Sequence, residues 1–325
     1  MNDIRLQILN RMAKFIDPGG VMLMSAFLSV GLLYGLWAPD IELSELRARY
    51  GAASQHVVMV DGLNVHYKDT GPQDAPVVLL LHGFGSSLHT WDQWAAQLEK
   101  HYRVIRLDLP GFGLTGPSPL HDYSESGDLA TLTHFVDKLG LASFSIVGHS
   151  MGGKMAWNLA AAEPDRVKAL VLMAPDGFPE AKDIGTKPYA VPAIMGLMKF
   201  CLPKYLVRKS IEPAFFDANA LSDSLVDRYY DMLRAPGVRE AILERSNQTI
   251  YTDPVPRLKK ITAPTLLIWG DRDRMIPSSN AQSYANVLSS SKTVLLPNLG
   301  HLVQEEQPER ALVHVTDFLS STLQR

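Results

Sequence analysis

FSIVGHSMGG, residues 144–153, joins a short apolar run to a glycine-rich turn. The run FSIV fits a buried strand, and from Met151 to Ala162 the apolar residues recur at helical spacing. A serine on a tight strand-to-helix turn is held out where a base and a substrate can both reach it. Chance alone also produces the pentapeptide GHSMG, so the strand before it and the helix after it are what make Ser150 a candidate nucleophile.

Other apolar runs surround this stretch and alternate with helical patterns. HVVMV and LNVHYKD flank Asp61-Gly62, which is a hairpin signal. The later runs are continuous, as in strands that are buried on both faces of a parallel sheet; they are PVVLLLH, RVIRLDL, FSIVGH, ALVLMA, TLLIWG and TVLLP. Regular alternation of strand and helix predicts an α/β fold with a mostly parallel sheet flanked by helices.

The alternation fails once, between Gly177 and Pro264, where three helical patterns replace the strands, namely VPAIMGLMKFCL, LSDSLVDRYYDMLR and VREAILERSNQTI. We therefore expect an α/β core over residues 55–177 and 264–325, with a helical cap, residues 178–263, inserted before the penultimate strand. Apolar side chains of the cap would suit an acyl chain, although such side chains more often serve packing. The candidate substrate contacts are Met195, Met198, Phe215 and Phe216.

A second glycine-rich turn, His82-Gly83-Phe84-Gly85, directly follows the run VVLLL. An acyl-transfer enzyme needs two backbone N–H donors aimed at the oxygen on which negative charge develops. One donor belongs to the residue after the nucleophile, here Met151, and the other to a loop after an earlier strand. The sequence thus favours the N–H groups of Met151 and Phe84 as an oxyanion hole.

A nucleophilic serine also needs a base, and the base needs an acid that orients it. Asp271 and Asp273 follow the run TLLIWG, and His301 follows TVLLP. Both loops come after strands, where open α/β sheets place their ligands. His301 is selected by this position among ten histidines, while Asp271 and Asp273 remain alternatives for the acid on these grounds.

The N-terminus carries the longest apolar segment of the chain. No charged side chain lies between Asp17 and Asp40, and VMLMSAFLSVGLLYGLW at 21–37 is apolar throughout. A helix over residues 18–39 would be about 30 Å long, the thickness of a bilayer core. We expect a membrane anchor there, preceded by an amphipathic segment at residues 1–17 that could lie on the membrane surface. A buried core helix and a cleaved signal peptide are the alternatives.

Two features of the sequence bear on the orientation of this anchor and on its association with a second copy. Three basic residues before the anchor against two after it favour a cytoplasmic N-terminus, with the globular part on the other side; they are Arg5, Arg11 and Lys14 against Arg47 and Arg49. Gly31 and Gly35 have the spacing of a helix-pairing motif, which is compatible with a homodimer.

Composition excludes several classes of function. Of 325 residues, 46% are hydrophobic and 20% are charged, which is typical of a globular protein. A net charge of −3 gives no basis for binding nucleic acid. Cys201 is the only cysteine in the sequence, so the chain can form neither an intrachain disulfide nor a cysteine-ligated zinc site.

From residue 55 to 322 the sequence resembles the α/β-hydrolase superfamily. Four of its motifs occur in order, namely HGFG at 82–85, DLPGFG at 108–113, GHSMGG at 148–153, and the pair WGDRDRMIP and LGHLVQEEQP near the C-terminus. The resemblance implies a Ser150-His301-Asp273 triad, because it places the acid three residues after the glycine of WG. It also implies that Phe84 and Met151 form the oxyanion hole. It gives His149 no required chemical role.

An N-terminal anchor with a helical cap is similar to membrane-bound monoacylglycerol lipases and to bacterial lipase and phospholipase A relatives. This resemblance implies a serine esterase or lipase of lipid-like esters, without a metal or organic cofactor, in a bacterial inner membrane. The charges that flank the anchor slightly favour a periplasmic catalytic domain. Two alternatives remain: a carbon–carbon bond hydrolase of a small carboxylated substrate, and a non-catalytic membrane-bound binding module. A lysine or arginine in the cavity above Ser150 would favour the carbon–carbon hydrolase.

Overall fold

The computed structural model describes residues 36–51, 55–179, 181–185, 188 and 190–323. The expected amphipathic segment, residues 1–17, and all but the last four residues of the expected anchor, residues 18–39, lie outside these ranges. Within the described ranges, no helix has the length and apolar character needed to cross a membrane.

One sheet organises the described chain. Its order is β1-β2-β4-β3-β5-β6-β7-β8, and β2 runs antiparallel to both of its neighbours while the remaining pairs are parallel. This confirms the predicted α/β fold with a mostly parallel sheet. The strands are β1 (Gln55–Val60), β2 (Leu63–Thr70), β3 (Val77–Leu81), β4 (Arg103–Leu107), β5 (Phe144–His149), β6 (Val167–Met173), β7 (Thr265–Gly270) and β8 (Ser291–Leu296).

Helices connect the strands and cover the sheet. Most predicted helices are present, with ends that differ by a few residues, and four short ones, at residues 43–50, 204–211, 255–258 and 303–306, had no clear pattern in the sequence. The α-helices are α1 (Leu43–Tyr50), α2 (Asp92–Leu98), α3 (Glu125–Lys138), α4 (Met151–Ala162), α5 (Lys204–Ile211), α6 (Asp223–Leu233), α7 (Val238–Gln248), α8 (Val255–Leu258), α9 (Asn280–Ala285), α10 (Val303–Glu306) and α11 (Pro308–Leu323).

Burial on both faces explains the continuous apolar runs. In β3, Val78 and Leu80 belong to one core cluster, which also contains residues of α2 and α11. Leu79 and Leu81 belong to the other, with residues of α3 and α4. Side chains alternate between the faces of a strand, so a strand with a core on each side must be apolar at every position. At the antiparallel edge, Asp61 and Gly62 both have positive φ, as the predicted hairpin turn requires.

Between β6 and β7 the described chain forms helices and no strand of the sheet. The segment VPAIMGLMKFCL, expected to be an α-helix, is a 3-10 helix over Ala193–Lys199. Gly196 weakens helix formation in its middle, and Pro203 restricts the residue before it, so a regular helix begins again only at α5. Leu202, Val207, Phe215 and Tyr229 build a small core within this region, against which residues that follow β8 also pack.

Candidate active site

Ser150 occupies the turn between β5 and α4. Its backbone has φ 53° and ψ −122°, a strained conformation for a residue with a side chain. Two glycines make the turn feasible, because a Cβ on Gly148 would lie 2.4 Å from the carbonyl oxygen of Gly152, and one on Gly152 would lie 2.3 Å from that of His82. The predicted strand, turn and helix therefore exist, and they present the serine at the end of the sheet.

His301 and Asp273 form a buried pair at the same end of the sheet. Nδ1 of His301 lies 2.7 Å from Oδ2 of Asp273, whose side chain is fully buried. The other carboxylate oxygen accepts the backbone N–H groups of Met275 and Ile276 at 2.8 and 2.9 Å. These bonds fix the carboxylate, which in turn fixes the imidazole ring and the proton on Nδ1.

Asp271, the alternative acid, has a different partner. Its carboxylate accepts the backbone N–H of Asn298 at 2.7 Å and lies 3.7 Å from Arg272. It therefore braces the loop that carries His301 without contacting the ring. Of the two candidates, the geometry places only Asp273 against His301.

Ser150 and His301 line one cavity. Among the described residues, no hydrogen bond joins the Ser150 hydroxyl to the His301 ring. Such bonds are often long in ligand-free enzymes and tighten when substrate binds. The cavity thus holds the candidate nucleophile together with a candidate base whose Nδ1 contacts a carboxylate.

The HGFG turn lies against Ser150. A Cβ on Gly83 would lie 3.1 Å from Cβ of Ser150, which places the following Phe84 beside the reacting centre. The N–H of Met151 belongs to the first turn of α4, where helix geometry provides no intrahelical acceptor. Both predicted donors thus border Ser150, and the positive end of the α4 dipole also favours negative charge there.

A buried carboxylate, that of Asp108, lies between the segments that follow β3 and β4. Oδ1 of Asp108 accepts the backbone N–H of Leu88 at 2.7 Å, and Oδ2 accepts that of Leu114 at 2.8 Å and contacts Nδ1 of His66 at 2.7 Å. Burial opposes ionisation of Asp108, but the His66 hydrogen bond and charge lower the pKa of the carboxyl overall. Asp108 therefore joins the loops after β3 and β4. The motif DLPGFG contains it, but nothing in the motif indicates this role.

His149, beside the nucleophile, has a contact that the sequence did not suggest. Its Nε2 donates to the carbonyl oxygen of His301 at 3.0 Å, and the two rings are 4.5 Å apart. Burial, and then the neighbouring His301, hold the pKa of His149 well below its ordinary value. A neutral His149 thus ties the nucleophile turn to the histidine loop.

The cavity around Ser150 has a volume of about 830 Å³ and is mostly apolar. This lies in the upper part of the range for small-molecule sites. Its described lining contains no lysine, arginine, aspartate or glutamate, and its buried polar members other than the catalytic candidates include Ser86 and Tyr229.

The four candidate substrate contacts divide into two pairs. Met195 and Met198 line the cavity. Phe215 and Phe216 are not among its lining residues, since Phe215 is buried in the core of the cap region and Phe216 lies near Glu306, which accepts its backbone N–H at 3.0 Å. Met195 and Met198 lie three residues apart in the 3-10 helix and so share one face, whereas Phe215 and Phe216 belong to a later segment; apolar character alone could not separate the pairs.

Comparisons with known proteins identify the family to which this fold belongs. The profile described as "Alpha/beta hydrolase family" matches residues 78–315. Monoacylglycerol lipase abhd6-B of Xenopus laevis is 27% identical over 271 residues, which cover 77% of this chain and 77% of the lipase. A 2-hydroxy-6-oxononadienedioate/2-hydroxy-6-oxononatrienedioate hydrolase of Paraburkholderia xenovorans is 30% identical over 268 residues, 79% of this chain and 91% of that hydrolase.

Among solved structures, the chain is similar to a membrane phospholipase A described as a bacterial virulence factor. The two are 27% identical and superpose with a TM-score of 0.72, and the match covers 100% of each chain.

Proposed function

The chain belongs to the alpha/beta hydrolase family, and from this premise we propose that it is a membrane-anchored serine hydrolase of lipid-like carboxylic esters, such as monoacylglycerols or phospholipids. One observation carries the substrate class: Ser150 and His301 open onto an apolar cavity whose described lining bears no charged side chain. An acyl chain gains free energy there by leaving water, whereas a carboxylate would be buried without a partner. The relatives named as a monoacylglycerol lipase and as a membrane phospholipase A support the same class.

The proposed reaction is acyl transfer through a covalent intermediate. Ser150 Oγ attacks the ester carbonyl carbon while His301 Nε2 takes the hydroxyl proton, and Asp273 stabilises the imidazolium through Nδ1. The N–H groups of Phe84 and Met151 bind the developing oxyanion. His301 then gives its proton to the departing alcohol, and a water activated by His301 releases the fatty acid.

The anchor is proposed from sequence. Residues 21–37 form an apolar stretch without a charge, of the length that crosses a bilayer core, and Trp37 stands at its end, where aromatic residues favour the interface. The charge difference across the stretch places the catalytic domain outside the cytoplasm, that is, on the periplasmic side of a bacterial inner membrane. An enzyme of lipid esters gains from this position because its substrate is concentrated in the membrane.

A substrate panel on detergent-purified full-length protein tests the proposal. We expect release of fatty acid from monoacylglycerol, phospholipid and medium-chain p-nitrophenyl esters, and no cleavage of a dienoate substrate that carries two carboxylates, because the described lining offers no cation to pair with them. Faster cleavage of the dienoate than of every ester would reject the ester hydrolase in favour of a carbon–carbon bond hydrolase.

His149 gives a second prediction. Replacing it with leucine removes the hydrogen bond to the His301 carbonyl and should lower kcat for a p-nitrophenyl ester by about tenfold with little change in KM, because a displaced catalytic group slows the reaction without weakening binding. His149→Gln, which keeps an N–H donor, should recover part of the loss. Equal kcat values for the leucine variant and the native enzyme would show that this contact does not position His301.

A further inference from the structure

Exposed apolar side chains concentrate where the cavity opens. Besides Phe84 of the HGFG turn, six side chains line the cavity and are between 47% and 67% exposed, so they lie at its entrance; we call these six the rim, namely Ile194, Met195, Leu197, Tyr205, Leu206 and Met275. Single exposed apolar side chains are ordinary, but a contiguous group of them marks a surface that meets another apolar phase or molecule.

The described end of the expected anchor is fixed to the wall of this same cavity. Trp37 pairs with Cys201 in an antiparallel bridge and stacks on Phe200 with ring centroids 6.0 Å apart. Leu36 and Cys201 both line the cavity. Trp37 and Phe200 are each 53% exposed, so the stacked pair adds further apolar surface beside the rim.

Hydrogen bonds and an ion pair also fix residues 36–40. The N–H of Ala38 donates to the carbonyl oxygen of Phe200 at 2.9 Å. The buried guanidinium of Arg239, on α7, donates to the carbonyl oxygen of Ala38 at 2.6 Å and pairs with Asp40. Residues 36–40 are therefore bound to the cap region, and the rim keeps a fixed position relative to the point where the chain leaves the described structure.

The dimensions of a bilayer then determine how far the rim lies from the hydrocarbon core. Partners in an antiparallel bridge have Cα atoms no more than about 5.5 Å apart. The polar layer of one leaflet is about 5–8 Å thick. If residues 21–37 cross the hydrocarbon core, Trp37 lies at the interface, and Cys201 and the cavity wall beside it lie within the headgroup layer.

We propose that the rim, with Trp37 and Phe200, docks on the lipid bilayer, so that the cavity opens into the headgroup layer and takes its ester directly from the adjoining leaflet. This rests on the anchor and the lipid substrate of the proposed function. A second copy of the chain is the other candidate occupant of the rim, but it would close the entrance that a substrate must use. The bilayer covers the same apolar surface and supplies the substrate.

Site-specific labelling of the full-length protein in vesicles tests the docking without relying on activity. In a Cys201→Ser background, a fluorescent label is placed by Leu197→Cys on the rim or by Val313→Cys on α11. The control is matched, since Leu197 is 55% exposed and Val313 is 50% exposed, and only Leu197 lines the cavity. The vesicles contain phosphatidylethanolamine and phosphatidylglycerol with a nitroxide-labelled lipid.

We expect the rim label to shift to the blue and to be quenched by the nitroxide lipid, while the α11 label remains as in water. Equal quenching at both sites would overturn the docking. So would a rim label that escapes quenching, and crosslinking between rim cysteines of two chains would then identify a second copy as the occupant.

A charged substitution beside the rim tests the docking through enzyme activity. Phe200 lies outside the cavity lining. Its replacement by glutamate should reduce hydrolysis of a vesicle-embedded ester by about tenfold or more, because transfer of a carboxylate into the membrane interface is unfavourable. Hydrolysis of a soluble p-nitrophenyl ester should stay near the native rate, and Val313→Glu should change neither. Equal loss on both substrates, or no loss on either, would reject the docking. If the native enzyme hydrolyses no ester, the proposed function fails, and the labelling result still decides whether the rim meets the bilayer.

Discussion

Replacing Ser150 with alanine is expected to lower kcat for hydrolysis of a medium-chain p-nitrophenyl ester by about a million-fold. Without the hydroxyl no acyl-enzyme can form, and the oxyanion donors and the cavity alone provide only a small residual acceleration. Such a loss corresponds to about 8 kcal/mol of transition-state stabilisation. KM and thermal unfolding should change little, because alanine keeps the backbone of the turn and leaves the apolar cavity intact. The measurement is steady-state kinetics on protein purified in detergent.

Ser210→Ala is the matched control. Ser210 also lines the cavity, but its hydroxyl is bonded to the carbonyl oxygen of Val207 and it lies on α5, away from the nucleophile turn. Its removal should leave kcat within a few-fold of the native value, as for most side chains outside the reacting set. Activity of the Ser150 variant close to that of this control would mean that Ser150 is not the nucleophile.

The fold was predictable because its strands are buried on both faces. PVVLLLH and TLLIWG could not be surface strands, and their alternation with helical patterns permits few topologies. The cap region was harder to predict. VPAIMGLMKFCL has helical spacing, yet Gly196 and Pro203 limit what the backbone can form, and a 3-10 helix results. The spacing of apolar residues indicates a helix, but the backbone preferences of glycine and proline determine whether it is an α-helix or a 3-10 helix.

The candidate catalytic set was predictable for a different reason. Ser150, Asp273 and His301 each follow a strand, and the carboxyl ends of parallel strands meet at one edge of a sheet. Position after a strand does not distinguish Asp271 from Asp273, because both lie in the same loop. The family resemblance favoured Asp273, and the structure gives the physical difference, because Asp273 contacts the ring of His301 while Asp271 contacts the backbone at Asn298.

Contacts between distant segments could not be read from local pattern. The bridge between Trp37 and Cys201 joins residues that are far apart in sequence, and neither carries a motif. The same holds for His149, whose bond to the His301 carbonyl depends on how two loops meet above the sheet. Apolar content likewise gave no means of separating Met195 and Met198, which line the cavity, from Phe215, which packs inside the cap region.

Replacing Asp273 with asparagine is the second prediction with a large effect, a loss of about 10⁴-fold in kcat. The backbone N–H groups of Met275 and Ile276 both donate to Oδ1, so the amide oxygen of the asparagine must take that position. The amide NH₂ group then faces Nδ1 of His301, which can accept its hydrogen bond only by giving up its own proton. The imidazole proton moves to Nε2, and the nitrogen that faces Ser150 can no longer act as a base.

Asp271→Asn separates this tautomer effect from damage to the loop. The amide oxygen of that variant can still accept the N–H of Asn298, so the histidine loop keeps its brace and kcat should fall by no more than a few-fold. The two variants carry the same change of charge two residues apart, and they differ in whether the carboxylate touches His301. Losses of similar size in both would mean that the general electrostatics of the loop matter more than the orientation of the ring. Four orders of magnitude between them can arise only if His301 depends on Asp273 for the position of its proton.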